Sequence, residues 1–260
     1  MPLGKLPILT YVSSNTLGAQ PLAKTLPMQI NTQPELTRLD RSRHAAPQVF
    51  ERLREMILSL ELAPGAVLSR AELASRFGIS QTPVRDALMR LGEEGLVDIY
   101  PQHKTLVSQI NLASARQAHF LRRSIELEVV HTLTGSADAT LIVQLRATVA
   151  QQMALCNAKD YREFATFDQT FHRQMYVAAG VPDLWDLVYR LSGHIDRLRQ
   201  LHLPVEGKTA AIVRDHGEIV DAIERHDPAA AQAALRKHLS GTLSQVEQIR
   251  ARHPNFVTSG

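Results

Sequence analysis

The chain has one cysteine, Cys156, in 260 residues. A single thiol closes no internal disulfide and fits a reducing compartment, so a cytoplasmic protein is expected. Cys156 reads as a buried or idle thiol rather than a nucleophile. No apolar run approaches the length of a membrane-spanning helix, so no membrane partner is expected. The N-terminus has one early lysine and scattered apolar residues, and lacks the pattern of a secretory signal. Three enzyme signatures are missing as well: His-Glu-x-x-His, a phosphate-cradling glycine loop and Gly-x-Ser-x-Gly. There is no internal repeat and no low-complexity tract.

A strong excess of one charge is lacking too. The net charge is +3, and residues 1–44 carry +3, residues 45–110 carry −1 and residues 111–260 carry +1. Any case for nucleic acid therefore rests on where particular side chains fall, not on bulk charge. Aromatics make up 5% of a chain that is 44% apolar, an ordinary composition for one or two domains with real cores.

What is present is a compact pattern over Ser69–Gly95. Ser69 is placed as an N-cap, with Glu72 at capping-box spacing. Leu73, Ala74 and Phe77 form an apolar face, and Gly78 supplies the left-handed exit. Thr82 is expected to cap the next helix and Pro83 to occupy its first position. Val84, Ala87, Leu88 and Leu91 recur at helical spacing, and Gly95 closes the helix. Helix, glycine turn, capped helix is a helix-turn-helix. Gln81, Thr82 and Arg85 sit at the end that such a helix points at base edges and phosphates. The competing reading pairs Arg85 with Asp86, Glu93 or Glu94 on a solvated face.

Before this unit, Val49, Leu53, Ile57 and Leu60 form one stripe of a helix that starts near Ala46 and ends before Pro64-Gly65. After it, Leu96–Tyr100 and Thr105–Ile110 read as a hairpin whose tip carries His103 and Lys104. With Arg70 these tip residues are further candidates for DNA contact, although bland surface chemistry explains His103 and Lys104 equally well. Residues 1–44 read as a flexible extension; Lys24, Arg38, Arg41 and Arg43 either brush phosphates or have no role. From 111 to about 255 helical stripes take over, placed near 112–134, 138–157, 160–179, 183–203, 208–226 and 228–251. The expected fold is mainly α: an N-terminal winged helix-turn-helix over 45–110, then a C-terminal all-α antiparallel helical bundle over 111–255.

Asp168 and His172 lie four apart on one helical face, and His216 and His238 fall on two later helices. A carboxylate and imidazoles from facing helices suit a divalent cation, with zinc, nickel and manganese all compatible. The Asp–x3–His pair alone is a weak signal, since the chain has 11 histidines.

Two resemblances sharpen these readings. Pro64-Gly65, Glu72-Leu73-Ala74, Gly78 to Leu88 without a gap, Leu91 and Glu94-Gly95-Leu96-Val97 closely resemble the DNA-binding domain of GntR-family transcription regulators. The chain departs from that pattern in having Gln81 where the family usually has arginine and Lys104 where it often has glycine, so a different operator preference is expected. Residues 112–250 resemble, with looser motifs, the all-helical FCD effector domain of the FadR subfamily. The resemblance implies that Asp168, His172, His216 and His238 bind a divalent metal and that a small carboxylate effector completes its coordination. It places His194 as a substitute or supporting residue. It also implies that Arg123 points into the effector pocket, with Arg197 a weaker candidate; a surface Arg123–Glu126 pair is the plainer reading.

The resulting expectation is a homodimeric regulator, a repressor by family habit, that reads a palindromic double-stranded operator and responds to a small organic acid. Two other classes stand against it. A metal-dependent enzyme would use the Asp/His cluster to activate water. A passive architectural DNA binder would need no effector pocket.

Overall fold

The computed structural model describes residues 39–101 and 103–258. Lys24, Arg38 and most of the expected N-terminal extension lie outside the described residues. Residues 39–44 are already folded: Gln48 accepts from the Asp40 N–H at 2.7 Å and donates to the Asp40 carbonyl at 2.8 Å.

Three helices and a hairpin come first. Helix α1 (Ala45–Leu58) buries Val49, Leu53 and Ile57, three of the four residues of the expected stripe; Leu60, the fourth, lies beyond the helix end at φ 63° and is only half-buried. Helix α2 (Arg70–Phe77) is capped by Ser69, whose side chain accepts the Glu72 N–H, and it exits through Gly78 at φ 64°. That is the left-handed region where glycine avoids a Cβ clash. Helix α3 (Gln81–Glu93) starts two residues earlier than expected, with Ser80 at the N-cap. Thr82 is therefore not the cap, and Pro83 is the third helical residue. The shift is permitted because every N–H of the first turn lacks an intrahelical acceptor, so proline loses nothing there. Strands β1 (Val97–Tyr100) and β2 (Lys104–Val107) form the antiparallel hairpin. The segment after α1 lies along β2 through Leu68 N–H to the Thr105 carbonyl and Val107 N–H to the Ala66 carbonyl.

The short strand β3 (Ile110–Asn111) leads into α4 (Leu112–Ser136), which Asn111 caps by accepting the Ser114 N–H. Helices α5 (Ala139–Ala158), α6 (Tyr161–Ala178) and α10 (Pro228–Ser240) are each capped by an aspartate, at 138, 160 and 227. Helix α9 (Lys208–Glu224) packs between α5 and α10, and α10 also packs on α4. Phe171, Met175, Tyr176, Ile219 and Val220 fill the shared core.

Two expected helices are broken. The span 183–203 divides into α7 (Pro182–Leu191) and α8 (Gly193–His202). Next to the break the two modules come close: a Cβ on Gly193 would lie 2.6 Å from Leu96 Cδ2, so glycine lets them meet there without displacing that side chain. The span 228–251 divides after Ser240 into α10, one 3-10 turn and α11 (Val246–Arg252). A strand absent from the sequence reading, β4 (Val257–Thr258), then pairs in parallel with β3. Among the described residues no helix is long and apolar enough to cross a membrane.

Candidate nucleic-acid interface and metal centre

Arg70, Gln81, Arg85, His103 and Lys104 line one open groove between α3 and the hairpin. They come from α2, the first turn of α3 and the hairpin tip. The helix-turn-helix and the wing thus place five of the six candidate DNA contacts on one surface. Thr82 is exposed at the start of α3 but does not line the groove. Arg85 does pair with Asp86, at 3.2 Å, but the pair is half exposed and so of little energetic weight. Its guanidinium is free to exchange that carboxylate for a phosphate or a guanine. Lys104 Nζ lies 5.8 Å from the Tyr100 ring centroid, which holds the ammonium beside the tip.

In the bundle, one ligand atom each from Asp168, His172, His216 and His238 falls within 4.8 Å of the others. The helices α6, α9 and α10 bring them together. His172 Nε2 is 3.1 Å and His216 Nε2 3.3 Å from His238 Nε2, while Asp168 Oδ1 is 3.5 Å from His216 Nε2. The far sides of two rings explain this orientation. His216 Nδ1 lies 2.7 Å from Gln152 Oε1, and His172 Nδ1 lies 2.9 Å from Glu126 Oε2. The Gln152 oxygen accepts, so His216 Nδ1 carries the proton and its Nε2 lone pair faces the centre; the Glu126 carboxylate beside His172 Nδ1 favours the same tautomer there, although that contact lacks hydrogen-bond geometry. His238 can donate one proton to only one of these two rings, and its buried Nδ1 has no hydrogen-bond partner. Converging lone pairs repel each other and attract a cation. The donor set therefore fits a divalent metal held by three imidazoles and a carboxylate.

Charge distribution around the cluster agrees. Burial pushes the His216 imidazole down to about 3, and burial with the neighbouring histidines and Arg122 takes His238 well below its ordinary value. Both rings are thus neutral, as ligands must be. Burial alone would raise Asp168, but His172, His216 and Arg122 outweigh it and keep the carboxyl below its usual range. Glu126 is likewise opposed by burial yet held at about 2 by Arg122 and His172.

The two candidate effector arginines fall elsewhere. Arg123 is half-buried and does not line the pocket that opens onto the cluster. One position earlier, Arg122 turns inward: it bonds Glu126 at 2.5 Å, and its Nη2 is buried without a partner. Arg197 is fully buried on the opposite face of α8, where it donates to the Ser108 carbonyl at 2.7 Å. His194 is also at that junction, not in the cluster; its Nδ1 accepts the Asn111 N–H at 3.1 Å. The pocket, a cavity of about 50 Å3, is instead lined by Asp168, Asp196, Arg199, Lys208 and His238 among others. By the rule of roughly 10–15 Å3 per water, it holds a few waters or a small molecule. Glu126, read from the sequence as a surface partner of Arg123, is instead fully buried and pairs with Arg122; Gln152, Arg199 and Lys208 were not singled out from the sequence.

Family models match both halves: the description "Bacterial regulatory proteins, gntR family" over residues 45–107 and "FCD domain" over residues 117–241. A transcriptional regulator from an unstable DNA locus of Streptomyces ambofaciens, itself uncharacterised, is 37% identical over 81% of this chain and 89% of its own length. The chain belongs to the GntR family. It is a DNA-binding transcription regulator with an FCD domain, and this membership decides against the metal-enzyme alternative. The HTH-type transcriptional repressor RspR of Escherichia coli K12 is 29% identical over 85% of this chain and 97% of its own length. Among solved structures, E. coli McbR/YncC shares the fold with a TM-score of 0.69 at 18% identity, covering 79% of this chain and 98% of that one. A putative GntR regulator from Rhodococcus sp. RHA1 gives 0.66 at 20% identity, over 78% and 97%.

Proposed function

We propose that this regulator is a cytoplasmic, homodimeric repressor that releases a palindromic operator when a small carboxylate binds beside a divalent metal. Residues 45–110 are the DNA-reading module, and residues 111–255 hold the metal, the effector and the dimer contact. In the reading module, Gln81, Thr82 and Arg85 meet base edges or phosphates, and Arg70, His103 and Lys104 anchor the backbone. The metal is zinc, nickel or manganese, held by Asp168, His172, His216 and His238. When bound it supplies a fixed positive charge that anchors a carboxylate.

One observation carries the ligand-controlled part. Helix α8 presents Asp196 and Arg199 to the pocket and His194 and Arg197 to the reading module. A ligand that shifts α8 shifts the placement of the winged helix. Such coupling requires that the ligand bind the two placements with different affinity. Repression rather than activation follows the habit of relatives such as RspR.

The test uses a duplex recovered from a random pool by the metal-loaded protein. Two inverted half-sites should be protected, and small monocarboxylates or dicarboxylates should weaken binding only when metal is present. A single unrepeated half-site would remove the dimeric reading. Operator affinity indifferent to every carboxylate would remove the effector reading.

A further inference from the structure

Lys208 begins α9 and lines the same pocket as Asp168 and His238. It is half-buried, and among the described residues no carboxylate lies within ion-pair distance of its ammonium. Its location is specific. A Cβ on Gly241 would sit 2.9 Å from Lys208 Nζ, so the ammonium rests over the end of α10, one turn beyond His238. The nearby Asp215 is taken by Lys237 at 3.0 Å. On the same wall Arg199 donates to Asp196 at 2.9 Å, one carboxylate for one guanidinium.

Counting charges around the pocket gives an imbalance. With a divalent cation and neutral imidazoles, the cation, Arg122, Arg199 and Lys208 exceed Glu126, Asp168 and Asp196 by two positive charges. Partly buried charges call for partners, because their hydration has been stripped. The two unmatched charges sit at different ends: one at the metal and Arg122, the other at Lys208 beside Arg199.

We infer that the effector is a small dianion with two separated carboxylates, one completing the metal site and the other held by Lys208 and Arg199. This rests on the effector reading above and narrows it to a ligand class. A monocarboxylate satisfies only the metal end. A phosphate group carries both charges on one centre and satisfies neither end fully.

The experiment is calorimetric titration of the full-length, metal-loaded protein with acetate, propionate, malonate, succinate, glutarate and inorganic phosphate. One dicarboxylate should bind at least tenfold more tightly than every monocarboxylate and than phosphate. Lys208→Met should abolish that margin while leaving monocarboxylate affinity and metal content unchanged, and Lys208→Arg should keep it. The unliganded melting temperature of each variant reports whether it folds. Equal binding of monocarboxylates and dicarboxylates, tighter binding of phosphate, or an unaltered margin in a folded Lys208→Met protein overturns the inference and leaves the metal-anchored effector standing. If no carboxylate binds at all, the effector reading itself fails and this inference with it.

Discussion

Arg197 and Ser108 tie the helical bundle to the end of α3. The guanidinium donates to the Ser108 carbonyl at 2.7 Å and to its hydroxyl at 3.2 Å, and that hydroxyl donates to the Gly95 carbonyl at 2.6 Å. A second tie lands one residue away. Arg54 bonds the buried Glu94 carboxylate at 2.7 Å and the Tyr189 carbonyl of α7 at 2.6 Å. The α7–α8 junction therefore grips Glu94 and Gly95, just beyond α3.

Breaking either tie should loosen the modules and destabilise the fold. Arg197→Ala strands a buried carbonyl and hydroxyl, a loss of roughly 1.5–3 kcal/mol for hydrogen bonds from a charged donor. Arg54→Ala leaves Glu94 buried without its partner, a loss of about 3–5 kcal/mol. Urea titrations measure both, and each variant should keep its metal, since neither residue touches the cluster. Wild-type midpoints would show that the ties are incidental.

Acid should act at this junction before it acts on the carboxylates. Burial, with Arg197 alongside, pushes His194 down to about 4, and burial is also the main reason that His119 and His202 lie at about 4. Their folded values lie below the unfolded value of 6.5, so the unfolded chain takes up protons first as pH falls. Stability is intact above about 6.5 and is lost between there and about 4, by roughly 1–3 kcal/mol per group. Glu126, held at about 2, adds its loss only below its ordinary value of 4.5. Melting temperatures across this range should fall first in the histidine window, and less steeply for His194→Gln. A flat profile down to about pH 4.5 would contradict this.

Metal removal should be visible without any ligand. Dialysis against a chelator should lower the melting temperature, and zinc, nickel or manganese should restore it, because the cation binds only the folded cluster. His216→Ala and His238→Ala should each lose metal by elemental analysis and become insensitive to the chelator. Full metal retention in both would disprove the assigned ligands.

On the DNA side, Arg85→Ala should cost about 1–3 kcal/mol if it reads a base, and Lys104→Ala should reduce the salt slope of binding by about one. Anisotropy titrations between about 50 and 200 mM salt separate the two effects. Unchanged affinity for Arg85→Ala would remove it from the interface.

Local signals made much of this legible in the sequence. Ser69 and Gly78 act on their own turns, so capping chemistry locates both ends of α2. Asn111, Asp138, Asp160 and Asp227 cap just as locally, but in the sequence those helix starts are placed by apolar stripes and breaks, and two of the four aspartate or asparagine caps fall inside an expected helix. The convergence of Asp168, His172, His216 and His238 was legible through a family pattern rather than through spacing alone. What escaped depends on distant partners. The close approach of Gly193 to Leu96 is one such contact, which no local window contains. The inward arginine of α4 is different, because its signal was available. Ala115, Ala118, Arg122, Val129 and Leu133 follow one buried stripe with Glu126, which places Arg122 inside and Arg123 on its flank.

The pairing of β3 with β4 has a practical consequence. Phe256 accepts the Ile110 N–H at 2.8 Å and Asn255 accepts from the Gln109 side chain at 3.0 Å, so residues 255–258 are stitched to the connector between the two modules. A fluorophore attached beside Phe256 would not be a neutral handle. It would sit on the joint, where it would report relative motion of the two halves or, if bulky, jam it.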